Sequence, residues 1–499
     1  MTTILNNIKS RFAPPRPSAM IESLRGIGYT PETAIADIID NSISAKAKVV
    51  SVNFSKEFIT ILDDGCGMND QELELAMWLG DKNPLDARDP EDLGRFGLGL
   101  KTASFSQCRR LTVASKKNNA ISCLRWDLDV LAEVNDGNWH LLEGAAESSM
   151  PLLKVLDELD SGTLVIWETM DRIITHGFDD QSLLNLIDQV EIHLSMVFHL
   201  LIEETNLNKL TIKINNRAIS PWDPFLANHE GTWSSPPVNI PTDVGLINVQ
   251  CFVLPHKDNL SEEDHEIAAG PQGWTSQQGF YIYRNKRLLV PGSWLGLGKL
   301  KPWIKEEAYR LARIKVNIPN SADKEWKIDI RKSIARPPAA IKNIFVKLAE
   351  DTRERARRVF ATRGQQMRNA QQVPIIQAWR TERTRTSVRY KIDNDHPAIK
   401  TLLDDAGSLT AQIKAAFRVL EETVPVQRIW LDTAETHETP LVGFNETPSE
   451  EIVAVLKVMF KNMITRKGMS PQMAREQLLL AEPFNNYPDL VASLPDNLI

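Results

Sequence analysis

The chain has 499 residues, 42% of them hydrophobic and 25% charged, with a formal net charge of −7 from 58 basic and 65 acidic residues. That length predicts two to four domains at roughly 100–200 residues each, and the ordinary composition excludes a wholly disordered chain. No apolar run approaches the roughly 18–20 residues that span a membrane, and the start MTTILNNIKSRFAPPRPS lacks the apolar stretch of a secretory signal. Four scattered cysteines form no CxxC pair, so the expected setting is a reducing cytoplasm. The charge is uneven. Residues 331–390 hold 15 Lys/Arg and 4 Asp/Glu, a local net of +11, which leaves −18 for the remainder.

Residues 1–17 read as a polar, proline-rich arm. From Ser18 a helical pattern runs up to a short strand, AKVVSVNFS. EFITILDDGCGM reads as a strand ending in a glycine turn, and QELELAMWLG as a helix. Residues 80–97 read as a long loop, and FGLGLKTASFSQC as the start of a helix. LTVASK, ISCLRWDL and GTLVIWETM read as strands, and LLNLIDQVEIHLSMVFHLLIEE as a long amphipathic helix that closes a first domain, 18–205. A second α/β region, 206–340, has the strands KLTIKINN, LINVQCFVL, GFYIYRNKRLLV and ARIKVNIPN. Residues 341–389 read as a basic helix followed by a linker, and 390–499 as a mostly helical region with ITRKGMSPQMAREQLLLAE as a helix-turn-helix candidate.

Four local patterns carry chemistry. Asp37 and Asn41 stand at i and i+4 on a predicted helix and share a face. A carboxylate and an amide there can position a water and a hydrated Mg²⁺, which favours hard oxygen ligands. A plain solvated helix face accounts for the same residues. The run Asp63-Asp64-Gly65-Cys66-Gly67-Met68 delivers a carboxylate from a strand into a Gly-x-Gly turn, where a flat base can approach the backbone. DDG is also an ordinary turn sequence. Gly94-Arg95-Phe96-Gly97-Leu98-Gly99-Leu100-Lys101 exposes backbone N–H groups at a helix start, as a phosphate cradle does. It is no Walker A loop, because Leu100 intervenes before Lys101 and no apolar strand precedes it. Thr163 follows Gly162 at the start of a strand.

In this order and spacing, the four patterns resemble the GHKL ATPases, the group of gyrase B, MutL, the heat-shock chaperone of that fold, histidine kinases and the MORC proteins. The resemblance covers roughly residues 18–200 and is strongest to prokaryotic MORC-like ATPases, whose transducer strand GFYIYRNKRLLVPGSWLG also resembles. It implies an α+β chain with an N-terminal Bergerat α/β sandwich, an S5-like transducer and a mostly helical C-terminal region. It implies ATP and Mg²⁺ as ligands. Asn41 would hold the metal. Asp63 would recognise adenine beside Gly65, Gly67 and Met68, with Thr163 in support. Gly94, Gly97, Gly99, Leu100 and Lys101 would form the lid over the phosphates. The residue that orients the attacking water is usually Glu, four before the Asn. Here it is Asp37, one methylene shorter, which predicts slow turnover. Glu32 is an alternative base at a less suitable position. Lys332, with Lys324 and Lys327 as runners-up, would reach the terminal phosphate from the transducer.

The resemblance also implies an ATP-dependent homodimer, DNA contact through residues 331–390, a setting in anti-phage defence with helicase or nuclease partners, and no membrane. The run Arg284–Arg287 reads as a turn of solvated charges or a contact to a partner. A non-hydrolysing nucleotide-dependent module, or a chaperone-like protein, is the alternative. A histidine kinase fits poorly. About 17 residues precede the first helix, and the first histidine is His140.

Overall fold

The computed structural model describes residues 15–80, 99–134, 136–206, 209–323, 325–329, 332, 335–361, 376–383, 388–426, 450–466, 468–481 and 484–495. The chain divides into two compact units, residues 1–366 and 367–499.

The first unit is built on two sheets. Helix α1 (Pro17–Arg25) leads into α2 (Pro31–Ser44). Thr30 starts α2 by a reciprocal cap with Thr33, and Pro31 occupies its first position, where no N–H is missed. Ile35, Ala36, Ile38 and Ile39 bury one side of α2 against a sheet. At about 1.5–3 kcal/mol per buried branched side chain, that face alone fixes the helix to its support. Hairpin β1 (Val49–Phe54) and β2 (Phe58–Asp63) follows, then α3 (Asp70–Met77) and α4 (Gly99–Phe105). Next come β3 (Arg110–Lys117), β4 (Ala120–Asp127), α5 (Leu128–Val134), β5 (Leu142–Glu143) and β6 (Gly162–Glu168). Every residue of β6 is buried, as its central place between β3 and β2 requires. Helices α6 (Asp180–Val197) and α7 (His199–Ile202) precede β7 (Thr211–Ile214) and β8 (Arg217–Ala218). The eight-stranded order is β5-β4-β3-β6-β2-β1-β7-β8. The segment KLTIKINN, grouped by sequence with the second region, lies in this first sheet as β7, parallel to β1.

The second sheet has β9 (Trp233–Ser234), β10 (Val238–Thr242) and β11 (Gly245–Val253), then α8 (Glu262–Ala269). It is completed by β12 (Gly279–Arg284), β13 (Arg287–Ser293) and β14 (Ala312–Ile318), and α9 (Ala339–Ala361) packs on it. Asn285 and Lys286, with φ of 48° and 65°, make the two-residue turn that joins β12 to β13. Arg353 of α9 is buried among Trp294, Trp303 and Tyr309, its guanidinium 4.8, 4.9 and 3.7 Å from their ring centres. Arg355 lies 4.0 Å over Trp233. Part of the basic segment therefore anchors α9.

The second unit is mostly helical. Residues 379–383 and 388–392, which span the end of the expected linker at 389 and the start of the expected helical region at 390, pair as an antiparallel hairpin. Charged side chains alternate there with Thr, Val, Tyr and Ile, so the apolar signal was too weak to read as strand. Helices Pro397–Asp405, Thr410–Glu422, Glu450–Thr465 and Pro471–Leu478 follow, the last two packing through Leu456, Met459, Phe460, Ala474 and Leu478. Together the two units make an α+β chain. No described helix is long and apolar enough to cross a membrane.

Candidate functional site

Strand β2 buries Ile59 and Ile61 in the core and ends at Asp63, which is also buried. Its carboxylate accepts hydrogen bonds from Ser42 Oγ at 2.8 Å and from the Gly65 N–H at 2.9 Å. The backbone N–H of Thr163 also points to it. Burial pushes the Asp63 carboxyl up, and these three donors only partly pull it back. The turn that follows depends on glycine. Gly67 has φ +64°, and a Cβ there would lie 2.0 Å from the Lys116 carbonyl oxygen. A Cβ on Gly65 would press to 2.9 Å on Asp63 Oδ1. Sequence reasoning missed Ser115, in the middle of β3. Its hydroxyl accepts from the Met68 N–H at 2.8 Å, bonds Thr163 Oγ1 at 2.9 Å and donates to the Gly162 carbonyl at 3.0 Å. Thr163 thus supports Asp63 through its backbone and the turn through its hydroxyl. Asp64 accepts from the Lys48 and Val49 N–H groups at 2.7 and 2.9 Å, fixing the start of β1.

Helix α2 supplies a second group of side chains. Asn41 is exposed, one turn beyond Asp37. Asp37 and Asp40 are 3% and 1% exposed. Tyr29 Oη donates to Asp37 Oδ2 at 2.8 Å, which together with burial pushes the Tyr29 hydroxyl well up. From β13, Arg287 Nε donates to both oxygens of Asp40 at 2.9 and 2.8 Å, and Nη2 donates to Asp37 Oδ1 at 3.3 Å. Lys332 Nζ donates to Asp37 Oδ1 at 3.0 Å and to Asp40 Oδ2 at 2.5 Å. Two carboxylates of the first sheet's helix therefore neutralise one cation on the second sheet, Arg287, and one from the segment after it, Lys332. Burial alone would raise the Asp40 carboxyl, but Arg287 and Lys332 outweigh it and hold it below the ordinary range. Lys332 adopts φ +54°, a conformation rare for a side-chain-bearing residue, so its surroundings fix it. Neighbouring His193 is pushed down to about 4 by burial and by Arg287.

The two groups meet at the C-terminal end of β2, since Ser42 on α2 bonds Asp63. The sequence-derived set divides as follows. Asp37, Asn41 and Lys332 lie at the α2 end. Asp63, Gly65, Gly67, Met68 and Thr163 form the β2 turn. Gly99 opens α4, and an added Cβ there would meet nothing within 4 Å. Leu100 is half-buried against the core. The Lys101 side chain is buried, and its ammonium donates to the Ala76 carbonyl at 2.8 Å, bracing α4 on the end of α3. Gly94 and Gly97 lie outside the described residues, as does Lys324; Lys327 is described and makes no ion pair with Asp37 or Asp40. Asp40 and Arg287 were not picked out as site residues by sequence. Of the run Arg284–Arg287, read as solvated or partner-facing, Asn285 and Lys286 are exposed but Arg284 and Arg287 are buried.

The donor set suits a purine nucleotide. A buried carboxylate with free lone pairs beside a glycine turn can accept from an exocyclic amine. The exposed Asn41 amide offers a neutral oxygen to a hydrated cation. Residues 29–163 match the family model of the histidine kinase-, DNA gyrase B-, and HSP90-like ATPases. The chain is also similar to ATPase morc-1 of Caenorhabditis elegans, 33% identical over 98 residues, 19% of this chain and 11% of that protein. The DNA mismatch repair protein MutL of Rickettsia prowazekii (strain Madrid E) is 30% identical over 94 residues, 18% of this chain and 16% of that protein. MutL of Rickettsia felis (strain ATCC VR-1525 / URRWXCal2) is 30% identical over 94 residues, covering 18% and 15%. The chain thus spans between 11% and 16% of the length of these relatives. On the family match and the order of its motifs, residues 29–163 form a domain of the histidine kinase-, DNA gyrase B-, and HSP90-like ATPase family.

Proposed function

We propose that the protein is a Mg²⁺-dependent, slowly hydrolysing ATP switch in which the second sheet senses the nucleotide held on the first. The observation that supports this most is Lys332. It reaches from the second sheet's side to Asp37 on the helix that carries Asn41. In this reading Asp63 accepts from the adenine amine, braced by Ser42, Gly65 and Thr163. Asn41 would give its carbonyl to Mg²⁺, whose charge, when bound, would offset that of the phosphates. Gly94, Gly97 and Gly99 would close over the phosphates, with Leu100 and Lys101 holding the base of that loop. Asp37 would orient the water and take its proton as the bond to ADP breaks and the bond to water forms. Lys332 would exchange its carboxylate partners for the terminal phosphate.

A switch of this kind pairs two copies of the chain when ATP is bound and releases them on hydrolysis. Similarity to ATPase morc-1 and to the DNA mismatch repair protein MutL supports DNA as the partner. The contact we propose lies within residues 331–390, and in the first unit it draws on exposed Lys342, Lys347, Arg357 and Arg358. Anti-phage defence beside a helicase or nuclease remains the setting that the MORC resemblance suggests. The test is nucleotide binding with and without Mg²⁺, followed by light scattering with a non-hydrolysable ATP analogue. Asp37→Asn should bind ATP, turn over far more slowly and accumulate as dimer. No Mg-ATP binding, or a monomer under every nucleotide condition, would sink this reading.

A further inference from the structure

Of the residues expected to act on the nucleotide, Arg287 bonds Asp37, and it is buried with that carboxylate. It is 3% exposed and opens β13 directly after the Asn285–Lys286 turn. Its Nε spans both oxygens of Asp40, its Nη2 reaches Asp37 Oδ1, and its Nη1 donates to the Leu288 carbonyl at 3.0 Å. The guanidinium carbon stands 6.0 Å from the Phe198 ring centre. Asp37 is in turn held from the other side by Tyr29 on Oδ2.

We propose that Arg287 is a positioning residue for hydrolysis, braced on Asp40 and acting through Asp37. The inference rests on the reading that Asp37 is the hydrolytic acid. The cluster holds two carboxylates against one guanidinium and one ammonium. When Lys332 leaves for the phosphate, Arg287 remains on Asp37 and the buried residue of charge is −1. Without Arg287 it would be −2, with neither carboxylate held from the second sheet. Arg287 meets the two carboxylates through two nitrogens of one rigid plane, Nε on Asp40 and Nη2 on Asp37, whereas Lys332 meets them through a single nitrogen on a flexible stem, so a lysine at position 287 would lose the fixed angle between the two contacts. A shortened acid has little reach to correct its own placement, so its support sets the rate. A displacement near 1 Å is worth about a hundredfold.

The full chain tests this with Arg287→Lys, Arg287→Met, Asp37→Asn and the Arg287→Met/Asp37→Asn pair. Two quantities are read: affinity for a fluorescent ATP analogue with Mg²⁺, and the single-turnover rate with ATP. Arg287→Met should slow turnover by about tenfold or more while affinity stays within about threefold, and Arg287→Lys should restore less than a tenth of the lost rate. In the Asp37→Asn background, Arg287→Met should change the rate by less than about twofold, because its route is already cut. Additive losses, full rescue by lysine, or a loss explained by affinity would overturn the proposal. If Arg287→Met does not fold, Arg287→Lys carries the comparison. A nucleotide-free arm separates this inference from the ATP reading. Amide hydrogen exchange along Asp37–Asn41 should be about tenfold faster in Arg287→Lys. Unchanged exchange defeats the positioning role even in a protein that binds ATP. A wild-type chain that binds no nucleotide defeats the ATP reading whatever the exchange shows.

Discussion

Replacing Asp40 by Asn removes one charge and little volume from the buried cluster. Arg287 and Lys332 would then share Asp37 alone, leaving a net +1 inside a site where Asp40 is 1% exposed. Breaking a buried ion pair in this way costs about 3–5 kcal/mol. The low end applies here, because Asp37 still meets both cations and the amide oxygen can still accept. At roughly 2 °C per kcal/mol for a unit of this size, the expected loss in Tm is about 6 °C. The pH dependence gives a second check. Asp40's folded pKa is lowered, so its contribution is fully present above the ordinary carboxylate pKa of about 3.9 and disappears as pH falls through the folded value. Calorimetry of the full chain should therefore show the same gap between wild type and Asp40→Asn at pH 7 and pH 5, shrinking below about pH 4. A gap under about 1 °C at pH 7, or one that widens on acidification, would refute the reasoning.

Three other outcomes are expected. Gly67→Ala should lose both stability and nucleotide binding, since φ +64° and a Cβ 2.0 Å from the Lys116 oxygen force the turn off β3; thermal melting and ligand titration read both. Asn41→Ala should abolish Mg²⁺-dependent nucleotide binding with a Tm within about 1 °C of wild type, because the side chain is exposed, as surface changes seldom exceed about 0.5 kcal/mol. Arg353→Ala should destabilise the first unit by about 2 kcal/mol or more through lost stacking on Trp294, Trp303 and Tyr309, measured by calorimetry.

The parts of the site that could be read from sequence are those whose geometry is local. Asp37 and Asn41 follow from one helical turn, and Asp63 to Gly67 from a strand that runs into glycine. The turn's dependence on Lys116, on β3 and two strands away from β2 in the sheet, was out of reach. Arg287 and Asp40 are 247 positions apart, and nothing in either neighbourhood announces the other. An arginine in a charged run reads as solvated until a fold buries it. Ser115 sits in a strand where serine carries no period signal. The +11 segment misleads for the same reason, because a charge count does not say which cations meet aromatic rings. KLTIKINN has the alternation of any edge strand, and only parallel pairing with β1 assigns it to the first sheet.

The cage around Arg353 has a consequence for ionic strength. A guanidinium largely buried between indole and phenol faces is screened less by dissolved ions than one that stands in solvent. The outward lysines and arginines of the same helix face the electrolyte directly. A polyanion held by Lys342, Lys347, Arg357 and Arg358 should thus be stripped off steeply as salt rises. The helix that presents those groups would keep its place on the second sheet throughout. One run of sequence then contains two electrostatic populations, one facing the medium and one largely shielded from it.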